Sequence, residues 1–230
     1  MGPIEVLNGV SGGRVKEAVF FPFDHRSVPF SHGLRLLLMA GKKPGKSNPI
    51  VLRRGKPGEP DDASVRFYGT VIPIGNELHM WYLARGQLDE GGQLRVCYAT
   101  STDGSHWLKP KLGLVEYNGS KANNIVNIRG GRAEIVAIPM IFDPEDPDAR
   151  RRYKIAFECG AYNNHVAVAF SPDGFNWTES PKNPVAGALE QTGLIRFQGC
   201  YYLNGQGGWH YGPDRKIVTH ASYEIGRAHV

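Results

Sequence analysis

Two copies of one short frame constrain this chain more than anything else in it. Ser101-Thr102-Asp103-Gly104-Ser105-His106-Trp107 and Ser171-Pro172-Asp173-Gly174-Phe175-Asn176-Trp177 share the pattern Ser-x-Asp-Gly-x-x-Trp. Each follows a short strand-like run, residues 94–99 in one case and 165–170 in the other. Asp-Gly between such runs signals a hairpin, because Gly adopts positive φ freely and Asp tolerates it better than most residues. The Trp then opens the returning strand and brings a large apolar side chain to that end of the sheet. Two hairpins in one frame imply a repeated supersecondary unit.

The flanking sequence supports the repeat. Residues 66–74, 78–84 and 94–101 predict three strands, with Gly75-Asn76 as a tight turn, residues 85–93 as a Gly-rich loop, and a fourth strand from Trp107. Residues 135–142, 153–157 and 165–170 repeat that order before the second frame. A third unit starts at residues 193–197, turns at Gln198-Gly199, returns through 200–203 and continues at 216–223. Earlier strands are expected at 19–24 and 34–40, whereas Pro44, Pro49, Pro57 and Pro60 make residues 42–62 a loop. Four-stranded antiparallel units recurring roughly every sixty to seventy residues are the blades of an all-β propeller, whose radial repetition leaves only short sheet edges.

Composition narrows the function classes. With 230 residues, 41% hydrophobic and 21% charged, the chain can bury a sizeable core. The net charge of +5 comes from basic residues scattered among acids, so a nucleic-acid partner is not expected. Cys97, Cys159 and Cys200 are odd in number and far apart, which suits buried strand thiols rather than disulfides or zinc. The histidines show no metal-ligand spacing, and neither metal nor cofactor is expected. The apolar run at 34–40 is too short to span a membrane, and residues 1–5 do not begin a signal peptide. If the start is native, the protein is expected in the cytoplasm; its oligomeric state is left open. Residues 224–230 read as a translated sequencing-library adapter that interrupts a predicted hairpin, so the natural chain is expected to continue. The expected organisation is an N-terminal extension at 1–18, a partial propeller of three to four blades at 19–223, and that tail.

Several motifs then resemble the five-bladed β-propeller glycosidases, the broad group of invertase, levansucrase and arabinanase-like enzymes. They are Met80-Trp81-Tyr82, Tyr98-Ala99-Thr100-Ser101 with its Asp-Gly-x-x-Trp frame, residues 112–120 and Asn123-Asn124-Ile125-Val126. The likeness covers roughly residues 20–223 and is nearest to uncharacterised bacterial members. It implies five blades, hence a fragment, and cleavage of glycosidic bonds in an oligo- or polysaccharide by paired carboxylates in an axial funnel. The Trp-Met-Asn-Asp-Pro and Arg-Asp-Pro motifs of invertases are absent, and Glu158-Cys159 matches their acid/base pair without its following Pro. Two other readings stay open: a non-catalytic carbohydrate-binding propeller, and a glycoside phosphorylase using a basic cluster at Arg66, Arg95 or Arg132.

The resemblance also sorts residues by face. It places ligands where each inner strand begins and each second strand ends, and puts Asp103 and Asp173 on the opposite side as turn residues. Hydrolysis needs a general acid of raised pKa and a second carboxylate as nucleophile or base. On that face the candidates are Asp24 or Asp62 as base or nucleophile, Glu134 as acid or pKa modulator, and Glu190 as acid. Arg66, Tyr68, Glu158, Tyr162, Gln191 and Trp209 are the candidate substrate-binding residues, while Trp81, Trp107 and Trp177 are expected in the core.

Overall fold

The computed structural model describes Ile4–Leu7, Gly12–Val15 and residues 50–91, 94–207 and 216–225. The chain divides into two compact units, Met1–Lys43 and Pro44–Val230. In the first, β1 (Ile4–Leu7) and β2 (Gly12–Val15) pair antiparallel with Ile4 opposite Val15. The strands expected at 19–24 and 34–40 lie outside the described residues.

The second unit contains three successive antiparallel modules. The first is β3 (Ser64–Ile74), β4 (Glu77–Arg85) and β5 (Arg95–Ser101). The second is β6 (Met140–Phe142), β7 (Tyr153–Glu158), β8 (His165–Ser171) and β9 (Thr178–Glu179). The third is β10 (Ala186–Phe197), β11 (Cys200–Gly207) and β12 (Ile217–Ser222). Helix among the described residues is confined to single 3-10 turns such as Arg129–Gly131 and Gly160–Tyr162.

The two Asp-Gly frames occupy matching corners and are built alike. Ser101 Oγ accepts the amides of Asp103 and Gly104 at 3.2 and 2.9 Å, and Ser171 Oγ accepts those of Asp173 and Gly174 at 3.2 and 2.9 Å. Asp103 Oδ1 takes the amides of Ser105 and His106, and Asp173 Oδ1 those of Phe175 and Asn176. The indole N–H of Trp107 donates to Gly104 O at 2.9 Å, that of Trp177 to Gly174 O at 3.0 Å. Gly104 and Gly174 hold φ of +73° and +79°, which explains the glycine in each frame. Both aspartates are thus turn-forming groups that replace missing backbone partners.

Side-chain alternation explains how the modules stack. Successive residues of a strand point to opposite faces. Trp81 and Leu83 of β4 pack with Tyr153, Ile155 and Phe157 of β7 in one cluster, joining the first two modules. Met80, Tyr82 and Ala84 face the other way, against Cys97, Val115 and Ile125. Ala156 of β7 with Val166 and Val168 of β8 meets Leu189 and Leu203, joining the second and third modules. Middle strands are therefore buried on both faces, which is why they read as continuous apolar runs. Trp81 also spans modules by donating to Gly174 O at 2.8 Å.

Several strand boundaries differ from expectation, each for a local reason. The strand expected at 135–142 shortens to β6, because Pro139 cannot donate to a ladder; Ile135 instead bridges Leu94 and Cys159. The strand expected from Trp107 reduces to one bridge, Leu108 to Thr100, before Pro110 turns the chain away. The place beside β5 is filled further on, where Val126 N donates to Val96 O and Tyr98 N to Asn124 O, both at 3.0 Å. β10 begins at Ala186 rather than 193, because Ala186 and Ala188 first pair with Val166 and His165 of β8. The second and third modules consequently share one hydrogen-bonded sheet.

Candidate active site

The first strands of the first two modules lie side by side, and β10 of the third comes close to β6. Ile138 N donates to Tyr68 O of β3 at 2.9 Å, and Met140 N donates to Thr70 Oγ1 at 2.9 Å. Antiparallel register then places the start of each first strand beside the end of its second. Ser64 pairs with Arg85, Ile135 in the segment entering β6 bridges Cys159 just past β7, and Leu189 pairs with Gly207. Chemistry-bearing residues gather at that common end.

Glu158 is the most perturbed acid among them. It ends β7 on the face that carries Ala156, and only 9% of its surface reaches solvent. Burial pushes its carboxyl up to about 7, and the negative charge of Glu190 adds to the effect. Burial penalises the ionised form, and a neighbouring like charge penalises it again. The carboxyl is therefore substantially protonated near neutral pH, as a general acid must be. Sequence reasoning placed Glu158 among binding residues and Glu190 as the acid; the structure couples the two electrostatically.

Gln191 follows Glu190 on β10 and shares a strand face with the buried Leu189. It is 1% exposed, yet neither its amide nitrogen nor its amide oxygen has a protein partner. A buried amide in that state costs about 1–3 kcal/mol per unpaired group unless water or a ligand satisfies it.

Glu134 and Tyr162 are joined through two residues that sequence reasoning missed, Arg129 and Glu179. Arg129 Nε donates to Glu134 Oε1 at 2.5 Å, and its Nη1 donates to both oxygens of Glu179 at 2.8 Å. Tyr162 Oη donates to Glu179 Oε2 at 2.5 Å, and the Arg129 guanidinium lies 5.5 Å from the Tyr162 ring centroid. Burial alone would weaken the Arg129 charge, but Glu134 and Glu179 outweigh it and hold the group protonated. The one local signal was the position of Glu179, two residues beyond the Trp177 of the second frame.

Asp62 is buried with both oxygens engaged: Oδ2 accepts Gly58 N at 2.7 Å and Oδ1 accepts Gln87 N at 2.6 Å. It ties the segment entering β3 to the loop leaving β4. Its neighbour Asp61 accepts Tyr82 Oη at 2.8 Å and Lys109 Nζ at 2.5 Å. Arg66 and Tyr68 stand exposed at the register break in β3, and Asp62 and Arg66 line a cleft of about 740 Å³. Asp24 and Trp209 lie outside the described residues. Among the described residues no His/Cys/Asp/Glu cluster could hold a metal ion.

The fold has solved counterparts. The chain aligns with Zg3597, a family 117 glycoside hydrolase of the marine bacterium Zobellia galactanivorans, at TM-score 0.53 and 10% identity, over 77% of this chain and 48% of that one. A candidate glycoside hydrolase from Parabacteroides distasonis ATCC 8503 aligns at TM-score 0.52 and 16% identity, over 81% of this chain and 58% of that one. The chain thus spans about half the length of these structures. The resemblance to the propeller glycosidases read from the sequence is borne out at the level of fold: an all-β, propeller-like stack of antiparallel sheets. No protein-family model and no curated protein sequence matches the chain.

Proposed function

We propose that this chain is the part of a five-bladed propeller glycosidase that carries its acid. Glu158 protonates the glycosidic oxygen, and Glu190 is the companion carboxylate. The observation that carries the reading is the proton held on Glu158 up to about pH 7 by burial and by the charge of Glu190. A carboxylic acid that keeps its proton near neutral pH is what glycoside hydrolysis needs at the leaving oxygen. Gln191, next to Glu190 along β10, holds a buried amide without a protein partner. Asp62 and the Arg129–Glu134–Glu179 group hold the surrounding loops in place. The substrate is an oligo- or polysaccharide.

The test is hydrolysis of a panel of aryl glycosides by the wild type, Glu158→Gln and Glu190→Gln. Removing a general acid costs about 10²–10⁴-fold in rate. The loss in Glu158→Gln should be large for poor leaving groups and small for a dinitrophenolate, which departs without protonation. Activity requires the protonated acid, so the wild-type rate falls as pH rises through about 7. In Glu190→Gln that fall should come at lower pH, because one of the two causes of the shift is gone. Equal loss for all leaving groups, or an unmoved alkaline limb, removes Glu158 from this role. Saccharide binding without hydrolysis of any substrate would favour the non-catalytic propeller instead.

A further inference from the structure

The cleft of about 740 Å³ at the start of β3 has an unusual charge balance. Arg53, Arg54 and Arg66 line it, all three exposed, and Asp62 is the one acid in its lining. Both oxygens of Asp62 are already taken by the amides of Gly58 and Gln87. Arg54 donates to Ala63 O at 3.3 Å, and among the described residues no ion pair involves Arg53, Arg54 or Arg66. Arg85, Arg132 and Arg152 likewise make no ion pair among the described residues, so it is the shared cleft that sets these three arginines apart, whereas five others are paired. Arg95, Arg129, Arg150, Arg151 and Arg196 each face a carboxylate, from Asp89, Glu134 and Glu179, Asp148, Glu224 and Asp143 respectively. Arg53 and Arg54 also line a second cleft of about 900 Å³, where Lys56 and Lys109 add positive charge and Glu59 is the acid.

Guanidinium groups recognise planar or tetrahedral oxyanions through paired N–H donors, and like charges left together in one concavity attract such an anion. We infer that the Arg53–Arg54–Arg66 cleft is an oxyanion subsite. Its ligand is the carboxylate or sulfate ester of an acidic saccharide. It lies at the same end of its module as Glu158 and Glu190 do in theirs, since Ser64 and Arg66 begin β3 beside the end of β4. Only the saccharide identity of the ligand rests on the proposed glycosidase function; the anion site itself does not.

The experiment is calorimetric binding to the full chain carrying Glu158→Gln, so that turnover plays no part. The probes are a trigalacturonate, a sulfated galactose disaccharide, neutral oligosaccharides of matching length, inorganic sulfate and inorganic phosphate. An acidic saccharide should bind about tenfold or more tightly than its neutral counterpart, and the preference should shrink as salt rises from about 0.01 to 0.5 M. Arg53→Gln and Arg66→Gln should each remove about tenfold of that affinity, while Arg132→Gln, outside the cleft, should not. Arginine-dependent binding of phosphate or sulfate without any saccharide preference upholds the subsite and identifies a free anion as its ligand. Charged and neutral saccharides binding alike, with inorganic anions showing no dependence on these arginines, overturns the inference. That outcome would leave the Glu158 reading intact, because leaving-group and pH dependence test it separately.

Discussion

Replacing Glu158 by Gln should make the protein more stable, and only above acidic pH. The carboxyl is held at about 7 in the folded chain against an ordinary value of 4.5. A raised carboxyl pKa means that the folded state binds the proton more tightly than the unfolded one. Below the unfolded value both states are protonated, and the group has no effect through its charge. As pH rises from 4.5 to about 7, only the unfolded state releases its proton, and the wild type loses stability. At 1.36 kcal/mol per pKa unit the full loss is about 3 kcal/mol, reached once pH exceeds the folded value. Gln has nearly the same shape and never ionises, so the variant escapes this loss. Urea unfolding at about pH 4 and about pH 8, followed by indole fluorescence from the buried Trp81, measures both proteins. The two should be nearly equal in acid, with Glu158→Gln ahead by about 2–3 kcal/mol at the higher pH and an unchanged slope. Burial is the larger cause of the shift, so Glu190→Gln should recover only part of the difference. A gap between wild type and Glu158→Gln that does not vary with pH would refute the burial argument, and the general-acid role with it.

The turn glycines and a buried lysine give sharper structural tests. Ala at Gly104 meets only Leu78 Cδ1 at 3.4 Å and pays mainly for its positive φ, about 1–2 kcal/mol; Ala at Gly174 also meets Trp81 Cζ2 at 2.7 Å and should cost about 3 kcal/mol or more. Equal midpoint shifts in urea for the two variants would contradict the docking of the second frame on Trp81. Lys154 is fully buried, with Nζ 2.8 Å from Asp146 and 3.3 Å from Asp143. Lys154→Met leaves those carboxylates without their cation and should cost about 3–5 kcal/mol, most at neutral pH and less in acid where they protonate. A neutral effect on thermal unfolding at pH 7 would mean that Arg196, 2.9 Å from Asp143, suffices alone.

How much was legible in the sequence follows from the range of the forces involved. The two frames were readable because the hydrogen bonds common to both turns are local: Ser, Asp, Gly and Trp bond within three residues of one another. The middle strands were readable for the opposite reason, since stacked modules bury both faces and demand continuous apolar runs. Strand ends were less so, because Pro139 and Pro110 act through ladders whose partners sit on other strands. The site was the least legible part. Glu134 finds Arg129 nearby, but Arg129 finds Glu179 through a contact spanning fifty residues, and no local pattern announces it. Glu158 did leave a trace. It closes the run Tyr-Lys-Ile-Ala-Phe-Glu, in which Lys154, Ala156 and Glu158 share one face, and in a strand buried on both faces that face must also be covered. A lysine there requires carboxylates, and Asp143 and Asp146 supply them. No cation pairs with Glu158 among the described residues; the charge acting on it is that of Glu190. An acid placed at a strand end without a counter-ion costs stability, and its retained proton is the chemical capacity that the cost accompanies.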